Sequence, residues 1–410
     1  MRVCIYNRHR QGGAVAISTV LLLVVLVGFL GVVVDLGRMF VAKTELFNAA
    51  DACALAAAQE LDGGAGALTR AENAGIAAGT RNRADFQNTP VAITAADIKF
   101  STTLSPNSSY LTQAAGAPQN SRYAMCTLTF PGLPTTLTAV VGFGPSVNVG
   151  AQAVATLAPS QASCAIPLGM CSAGPAPGYG LTTGQWRSGR FDAGGGATGS
   201  FNWIDFTPPG GGQSELAALL TGQGMCATTV NQPVGQTGVL GNAAARAWNS
   251  RFGLYQGGGG NPQLTTAPPD FTGYAYTATP QGQAAWPAQS NALSDFLARR
   301  ASNAPYQGNA ATGLTISNAY TISTPAQHAA FGAATRRLVV APIVDCTGWA
   351  SSQTVPILSY ACVLMLHPIG SPGDTVYMEY RGLASDPGSP CATSGLAGGT
   401  FGPLIPVLVQ

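Results

Sequence analysis

Three histidines and nine cysteines are the residues of this 410-residue chain best suited to chemistry. A helical zinc hydrolase needs two imidazoles one turn apart, as in H-E-x-x-H. His9 stands alone near the start, and His328 and His367 have no such spacing. Ser371 lies close to His367 and Asp374, but triad members come together through a fold, not as neighbours in one loop. His367, which ends the run Val363–Leu366, reads as a strand-end residue. Gly194-Gly195-Gly196-Ala197-Thr198-Gly199 matches G-x-G-x-x-G. A dinucleotide loop needs a strand before it and a helix after it, and this stretch leads from a polar loop into Ser200-Phe201-Asn202-Trp203. No G-x-S-x-G elbow, P-loop or EF-hand loop occurs. The cysteines lack the C-x2–4-C clusters of a zinc site, so disulfides are the better account. The expectation is a protein without catalytic residues, metal or cofactor.

Composition points the same way. Apolar residues make 46% of the chain, enough for a sizeable core, while charged residues make only 9%, against roughly 25% in an ordinary soluble domain. The net charge is +2, and no Lys/Arg stripe exists to neutralise phosphates, which excludes a polybasic nucleic-acid binder. The length predicts two domains or three.

One segment must place everything else. Ala14 to Val34 is uncharged over 21 residues, about 31 Å as a helix and close to the ~30 Å hydrocarbon core of a bilayer. Arg2, Arg8 and Arg10 precede it and Asp35 follows it, which predicts a cytoplasmic N-terminus by the positive-inside rule. The run is longer than the apolar part of a cleavable signal peptide and leads into Asp35-Leu36-Gly37-Arg38, so it reads as a retained anchor. No proline interrupts Leu36 to Leu61. Leu36, Phe40, Lys43, Phe47, Ala50, Ala54, Ala57 and Leu61 alternate by four and three residues, a seam that a helix can bury against another helix. Asp62-Gly63-Gly64 then stops it. The seam fits two arrangements: an anchor helix lying on its own ectodomain, or a packing spine between subunits. Asp35 and Arg38 at the membrane rim pair with each other in solvent or dock on a neighbouring helix.

Gly13-Ala14-Val15-Ala16, the apolar span, Val34-Asp35-Leu36-Gly37-Arg38 and Ala49-Ala50-Asp51-Ala52-Cys53-Ala54-Leu55-Ala56-Ala57-Ala58 resemble the N-terminal module of the TadE/TadG-like proteins of bacterial Tad (Flp, tight-adherence) pilus systems. The resemblance covers residues 12–61. Further on, Cys164–Cys171, Asn202–Phe206, Trp248–Phe252 and Arg336–Asp345 resemble, more weakly, longer TadG-like proteins. Asp345-Cys346-Thr347-Gly348-Trp349 half-resembles the D-x-S-x-S metal loop of von Willebrand A domains, which some of those carry. Trp349 replaces the second hydroxyl and only 61 residues follow, so a strand end beside a disulfide is the better reading. The resemblance implies a structural role in pilus assembly, with membrane lipid and other Tad pilus or pilin-like subunits as partners. Asp35, Arg38, Phe40, Phe47, Ala50, Asp51 and Ala54 are its candidate interaction residues.

The fold expected is α+β. It starts with a basic stub (1–13), a transmembrane helix (14–34) and its periplasmic extension (35–61). A small α+β module (62–160) and a β-rich, Gly/Pro-rich ectodomain (161–410) follow. A second helix is expected over Ala65–Asp85, with strands at Val91–Thr103, Tyr123–Phe130 and Ser146–Ala158. Short helices are expected at Ser214–Leu220 and Asn291–Arg300, and late strands at Arg337–Asp345, Val355–Leu366 and Thr375–Arg381. Cys4 precedes the span. The other cysteines follow it, in the periplasm if the orientation is right, where disulfides persist. Cys164 and Cys171 are the expected pair, with Cys226, Cys346, Cys362 and Cys391 supplying two more bridges, and Cys53 and Cys126 read as buried thiols.

The reading is an inner-membrane, periplasm-facing component of Tad/Flp pilus biogenesis without enzymatic activity. A membrane-tethered binding module or adhesin is the alternative, and a periplasmic hydrolase a more distant one. Processing separates a major pilin from an accessory subunit. Pilin-like chains of such systems are cut after a glycine, and many carry a glutamate five residues into the mature chain. A cut after Gly13 would put Ser18 there, and one after Gly12 would put Ile17. An intramembrane glutamate is costly unless paired, so its usual role is register inside a fibre. Without it, this chain is expected to keep its basic N-terminus and act as an accessory. Mass spectrometry of the membrane-extracted protein checks this, and a mature terminus at Gly13 or Ala14 would overturn it.

Overall fold

The computed structural model describes residues 12–135, 144–190, 201–209, 212–222, 224–236, 241–277, 290–332, 334–350, 353–370 and 374–410. The arginines of the N-terminal stub, Cys4, the glycine loop 194–199 and Ser371 lie outside them. The chain is α+β, with one long apolar helix followed by a β-rich region. It divides into two units: residues through Leu157 together with Pro406–Gln410, and Ala158–Ile405.

In the first unit, α1 (Gly12–Gln59) runs unbroken for 48 residues, because nothing between the span and Asp62 is a proline and the stretch is rich in Ala and Leu. It packs on α2 (Ala67–Gly79). The short hairpin β1 (Arg83–Ala84) and β2 (Thr89–Pro90) follows. An antiparallel sheet is then built from β3 (Ile98–Ser101), β4 (Tyr123–Pro134) and β5 (Ser146–Ala162). Backbone bonds between Val154 and Val409–Gln410 bring the C-terminus to β5. The expected helix to Asp85 ends at Gly79. The strand expected from Val91 shortens to β3, because Thr94 and Asp97 form a reciprocal capping box that turns residues 95–97 into a 3-10 helix.

The α1–α2 contact is made of small residues. A Cβ on Gly79 would stand 2.2 Å from Ile93 Cδ1 and 3.1 Å from Cys53 Cβ, and one on Gly75 would stand 2.8 Å from Ile98 Cδ1. Ala49, Ala50, Cys53, Ala54, Ala57 and Ala58 are fully buried in this core with Ile98, Phe100 and Leu128. Cys53 and Cys126 are joined as a disulfide, which ties α1 to β4. The sequence suggests separate buried thiols, since one sits on a helix and the other on a strand 73 residues later; only the packing of helix on sheet brings them together.

The second unit is organised by an eight-stranded sheet. Its strands are β6 (Leu168–Cys171), β7 (Trp186–Arg190), β8 (Phe201–Asp205), β9 (Pro233–Gln236), β12 (Leu338–Val344), β13 (Thr354–Pro356), β14 (Ser359–Met365) and β15 (Thr375–Leu383). Their order is β13-β9-β8-β6-β12-β14-β15-β7. The sheet is antiparallel except for the β6–β12 pair. Every residue of β12 is buried, and alternate side chains enter opposite cores. Val339, Ala341 and Ile343 join Trp203, Trp248 and Phe252 on one face, and Leu338, Val340 and Val344 join Phe271, Tyr276 and Phe296 on the other. This is why the sequence there reads as an apolar run without alternation. Helices α3 (Gly212–Thr221) and α4 (Asn242–Ser250) cover the first face, where Trp203 and Trp248 meet edge to face. Helix α5 (Leu293–Ala298) covers the second through Phe296, and α6 (Asn309–Thr312) and α7 (Pro325–Phe331) are shorter. The minor strands β10 (Leu254–Gln256) and β11 (Tyr320–Ile322) pair with each other, and β16 (Ala392–Ala397) pairs with Ser160 and Ala162, in the end of β5 that belongs to this unit.

Three disulfides staple this unit, in a pairing other than Cys164–Cys171. Cys164 joins Cys226, Cys171 joins Cys346, and Cys362 joins Cys391. The reason is strand register. Met170–Cys171 runs parallel to Ile343–Val344, which puts Cys171 beside Cys346 at the strand ends. The Ala165–Met225 bridge puts Cys164 opposite Cys226. Replacing both Cys53 and Cys126 with alanine is expected to cost about 2–4 kcal/mol of stability in the first unit, from the unfolded-chain entropy that the cross-link removes. Thermal unfolding of the variant against the wild type, both non-reduced, measures it.

Candidate functional site on the long helix

The sequence-derived interaction residues all sit on α1, and the structure divides them into two groups. Ala50 and Ala54, with Ala57 and Leu61 beyond them, are buried against the protein's own α2 and sheet. The lower half of the seam is therefore an internal contact. The upper half is open. Leu36 is 44% exposed, Phe40 62% and Phe47 39%, and the Lys43 ammonium stands 5.8 Å from the Phe47 ring centroid. At 100° per residue these four side chains share one face, and Phe29, also exposed, continues it into the apolar span. Near its lower end, Phe47 borders a shallow depression of about 400 Å³, lined also by Thr127–Thr129, Gly150–Gln152 and Gln410. Asp51 is half-buried, and burial raises its carboxyl above the usual range.

Asp35 and Arg38 are not an isolated pair in open solvent: the charge of Asp35 acts on Arg38, and Arg38 also reaches a partner far along the chain. Asp35 is buried. Arg38 makes a two-pronged ion pair with Asp85, Nε to Oδ1 at 2.8 Å and Nη2 to Oδ2 at 2.7 Å. Two turns further along the same side of the helix, Glu45 accepts the backbone N–H groups of Phe86 (3.0 Å) and Gln87 (3.1 Å). What these two charges grip is unusual. Asp85, Phe86 and Gln87 have φ of 58°, 59° and 59°, three consecutive non-glycine residues in the left-handed region, each costing of order 1 kcal/mol. Sequence reasoning missed Asp85 and Glu45, because charges 47 and 41 residues from their partners leave no local pattern. The Asp85-to-Gln87 turn, with no glycine, gave no turn signal either.

The other sequence candidates are occupied locally. His367 Nε2 accepts the Tyr377 N–H, so Nδ1 donates to the Pro368 carbonyl; burial pushes the imidazole down to about 4. Asp374 accepts the Gly370 N–H. His328 is buried with Nδ1 bonded to the Asp270 carbonyl. Asp345 caps its own turn by accepting the Thr347 N–H, next to the Cys171–Cys346 bridge. Among the described residues, no group of three or more His, Cys, Asp or Glu could hold a metal ion.

The Arg38 guanidinium, bonded to Asp85 and attracting it, holds that carboxyl below the usual carboxylate range against the burial that would raise it. A depressed folded-state pKa contributes stability above the unfolded value of about 4, and that contribution is lost as pH falls through the folded value. Asp85→Asn is therefore expected to lower the unfolding midpoint of the first unit at pH 7. The difference from wild type should shrink towards pH 3. A gap independent of pH would show that the charge pair contributes nothing. Ala54→Lys, by contrast, places an ammonium in a dry alanine contact and is expected to destabilise the unit by about 3 kcal/mol or more, measured by the same unfolding curve.

The helix Val15–Gln59 is long and apolar enough to cross a membrane. No curated protein and no solved structure is significantly similar to the chain. The buried alanine face, Arg38, Glu45 and the upper stripe all fall within residues 12–60, and those residues match the Flp pilus-assembly TadE/G-like family. Over this segment, residues 12–60, the chain is thus similar to the TadE/G-like Flp pilus-assembly family.

Proposed function

We propose that this protein is a non-enzymatic accessory component of an Flp-type pilus-assembly system. It is held in the bacterial inner membrane by α1, with its N-terminus cytoplasmic and both folded units in the periplasm. The observation that carries the reading is the open stripe Phe29, Leu36, Phe40 and Phe47 on the segment that matches the pilus-assembly family. A face that continues from an apolar span into a folded unit suits lateral packing against another membrane-emergent helix. Such a contact would bury the same side chains in lipid and above it. The three N-terminal arginines support the orientation. The four disulfides support an oxidising compartment. The proposed partners are pilin-like subunits of the same system.

A photo-crosslinking amino acid at Phe40 or Phe47 is expected to capture pilin-like subunits in cells. One at Leu111, exposed on the same unit, is not. Equal capture at all three positions, or capture of lipid alone at Phe40 and Phe47, would remove the helix-packing role and leave a membrane-tethered binding module as the reading.

A further inference from the structure

The second unit contains a cavity of about 850 Å³, within the range of pockets that hold small organic ligands. Its wall includes Gln161–Cys164, the end of α3, the Ala334–Arg336 segment before β12, and Gly398–Phe401. Among the described residues that line it none is acidic, and two are arginines, Arg251 and Arg336. Arg251 is buried and gives its N–H groups to the carbonyls of Leu220 (2.8 Å), Gly222 (3.0 Å) and Arg336. Arg336 gives three N–H groups, to the carbonyls of Pro268, Thr221 and Gly222, of the five a guanidinium has. The two cations thus share the Gly222 carbonyl.

Carbonyls satisfy hydrogen bonds but do not neutralise charge. Behind Arg251 and Arg336 lies a third guanidinium, Arg337, fully buried and 4.1 Å from the Phe252 ring centroid. Among the described residues the carboxylate facing this group is Asp270, and its oxygens already accept the backbone N–H groups of Arg336 (2.7 Å), Arg337 (3.0 Å) and Thr272 (3.2 Å). Burial keeps His328 towards its neutral form, so it adds no further cation, and raises the Tyr255 hydroxyl, so it supplies no counter-anion. Among the described residues, three cations against one anion leave an excess of positive charge behind a wall in which no acid is found. Burial and the neighbouring Arg336 push Arg251 down to about 9, a cost that an anion in the cavity would relieve. The remaining lining includes the Gln161 amide, hydroxyls such as Thr335 and Thr393, and apolar faces from Pro268, Phe331 and Phe401. Hydroxyls beside flat apolar surfaces suit a sugar ring.

We propose that this cavity binds a small anionic sugar, a sugar carboxylate or sugar phosphate, with its charged group at Arg336. The test titrates the detergent-solubilised full chain with glucuronate, glucose 6-phosphate and glucose by calorimetry. At least one charged sugar should bind saturably and glucose should not; which of the two binds more tightly assigns the anion as carboxylate or phosphate. Arg336→Gln should weaken binding about tenfold or more. Because Arg336 also holds three carbonyls, Thr393→Glu is the second variant: Thr393 is exposed on the cavity wall, and an acid there opposes an anionic ligand without removing a bond. Its binding should fall at least as far, with an unchanged unfolding midpoint. Absence of binding by both charged sugars, equal binding of glucose, or wild-type affinity in Thr393→Glu overturns the proposal.

Discussion

The close approach of α1 to α2 is the constraint on which the first unit depends. Two helix backbones can come this near only where side chains are small. Ala49, Cys53 and Ala57 face Gly75 and Gly79 with no room for a further methyl group. Once that contact forms, β3 and β4 have a surface to cover, and Cys53 is placed where Cys126 can bond to it. It also rotates α1 so that Arg38 and Glu45 reach the hairpin turn, while Leu36, Phe40 and Phe47 point away from the unit's core. The open stripe is thus a consequence of which face the alanines claim.

The second unit solves a different problem, a large apolar core in a chain with few charges. Charged residues are 9% of the sequence, and several of them are inside. Arg337 is buried among Phe252, Tyr276 and Phe296 and donates to four backbone carbonyls. Glu379 is buried and accepts from Trp186 Nε1, from the Ala292 and Leu293 N–H groups and from Arg381. Buried charges persist only when hydrogen-bonded or paired, and here they hold loops that have no regular backbone partners of their own. Three disulfides supplement them where the sheet gives way to glycine-rich connections.

The two units therefore bear on function differently. In the first, the matched family segment and the unclaimed helix face coincide, which is what makes helix packing in a pilus-assembly system the favoured reading. In the second, the notable feature is an internal surplus of positive charge behind a cavity, a property suited to recognising a ligand. An assembly component that also binds an anion needs no conflict between these roles, since different residues carry them.

Much of the N-terminal organisation was legible in the sequence, because it rests on local properties. The uncharged run to Val34, the absence of proline as far as Leu61 and the alanine tract set one long helix and its seam. The burial of β12 and the late strands followed from apolar runs in the same way. Which half of the seam would be covered was not legible: a run of alanines suits an internal contact as well as an external one, and the α2 glycines that complete it lie some 20 residues away. Nor were the disulfide pairs, the Arg38–Asp85 latch or the arginine group around Asp270. Each joins residues far apart in the chain, and strand register or helix rotation decides whether they meet. A side chain's type and its near neighbours determine which element it enters, but only the packing of elements decides what it faces.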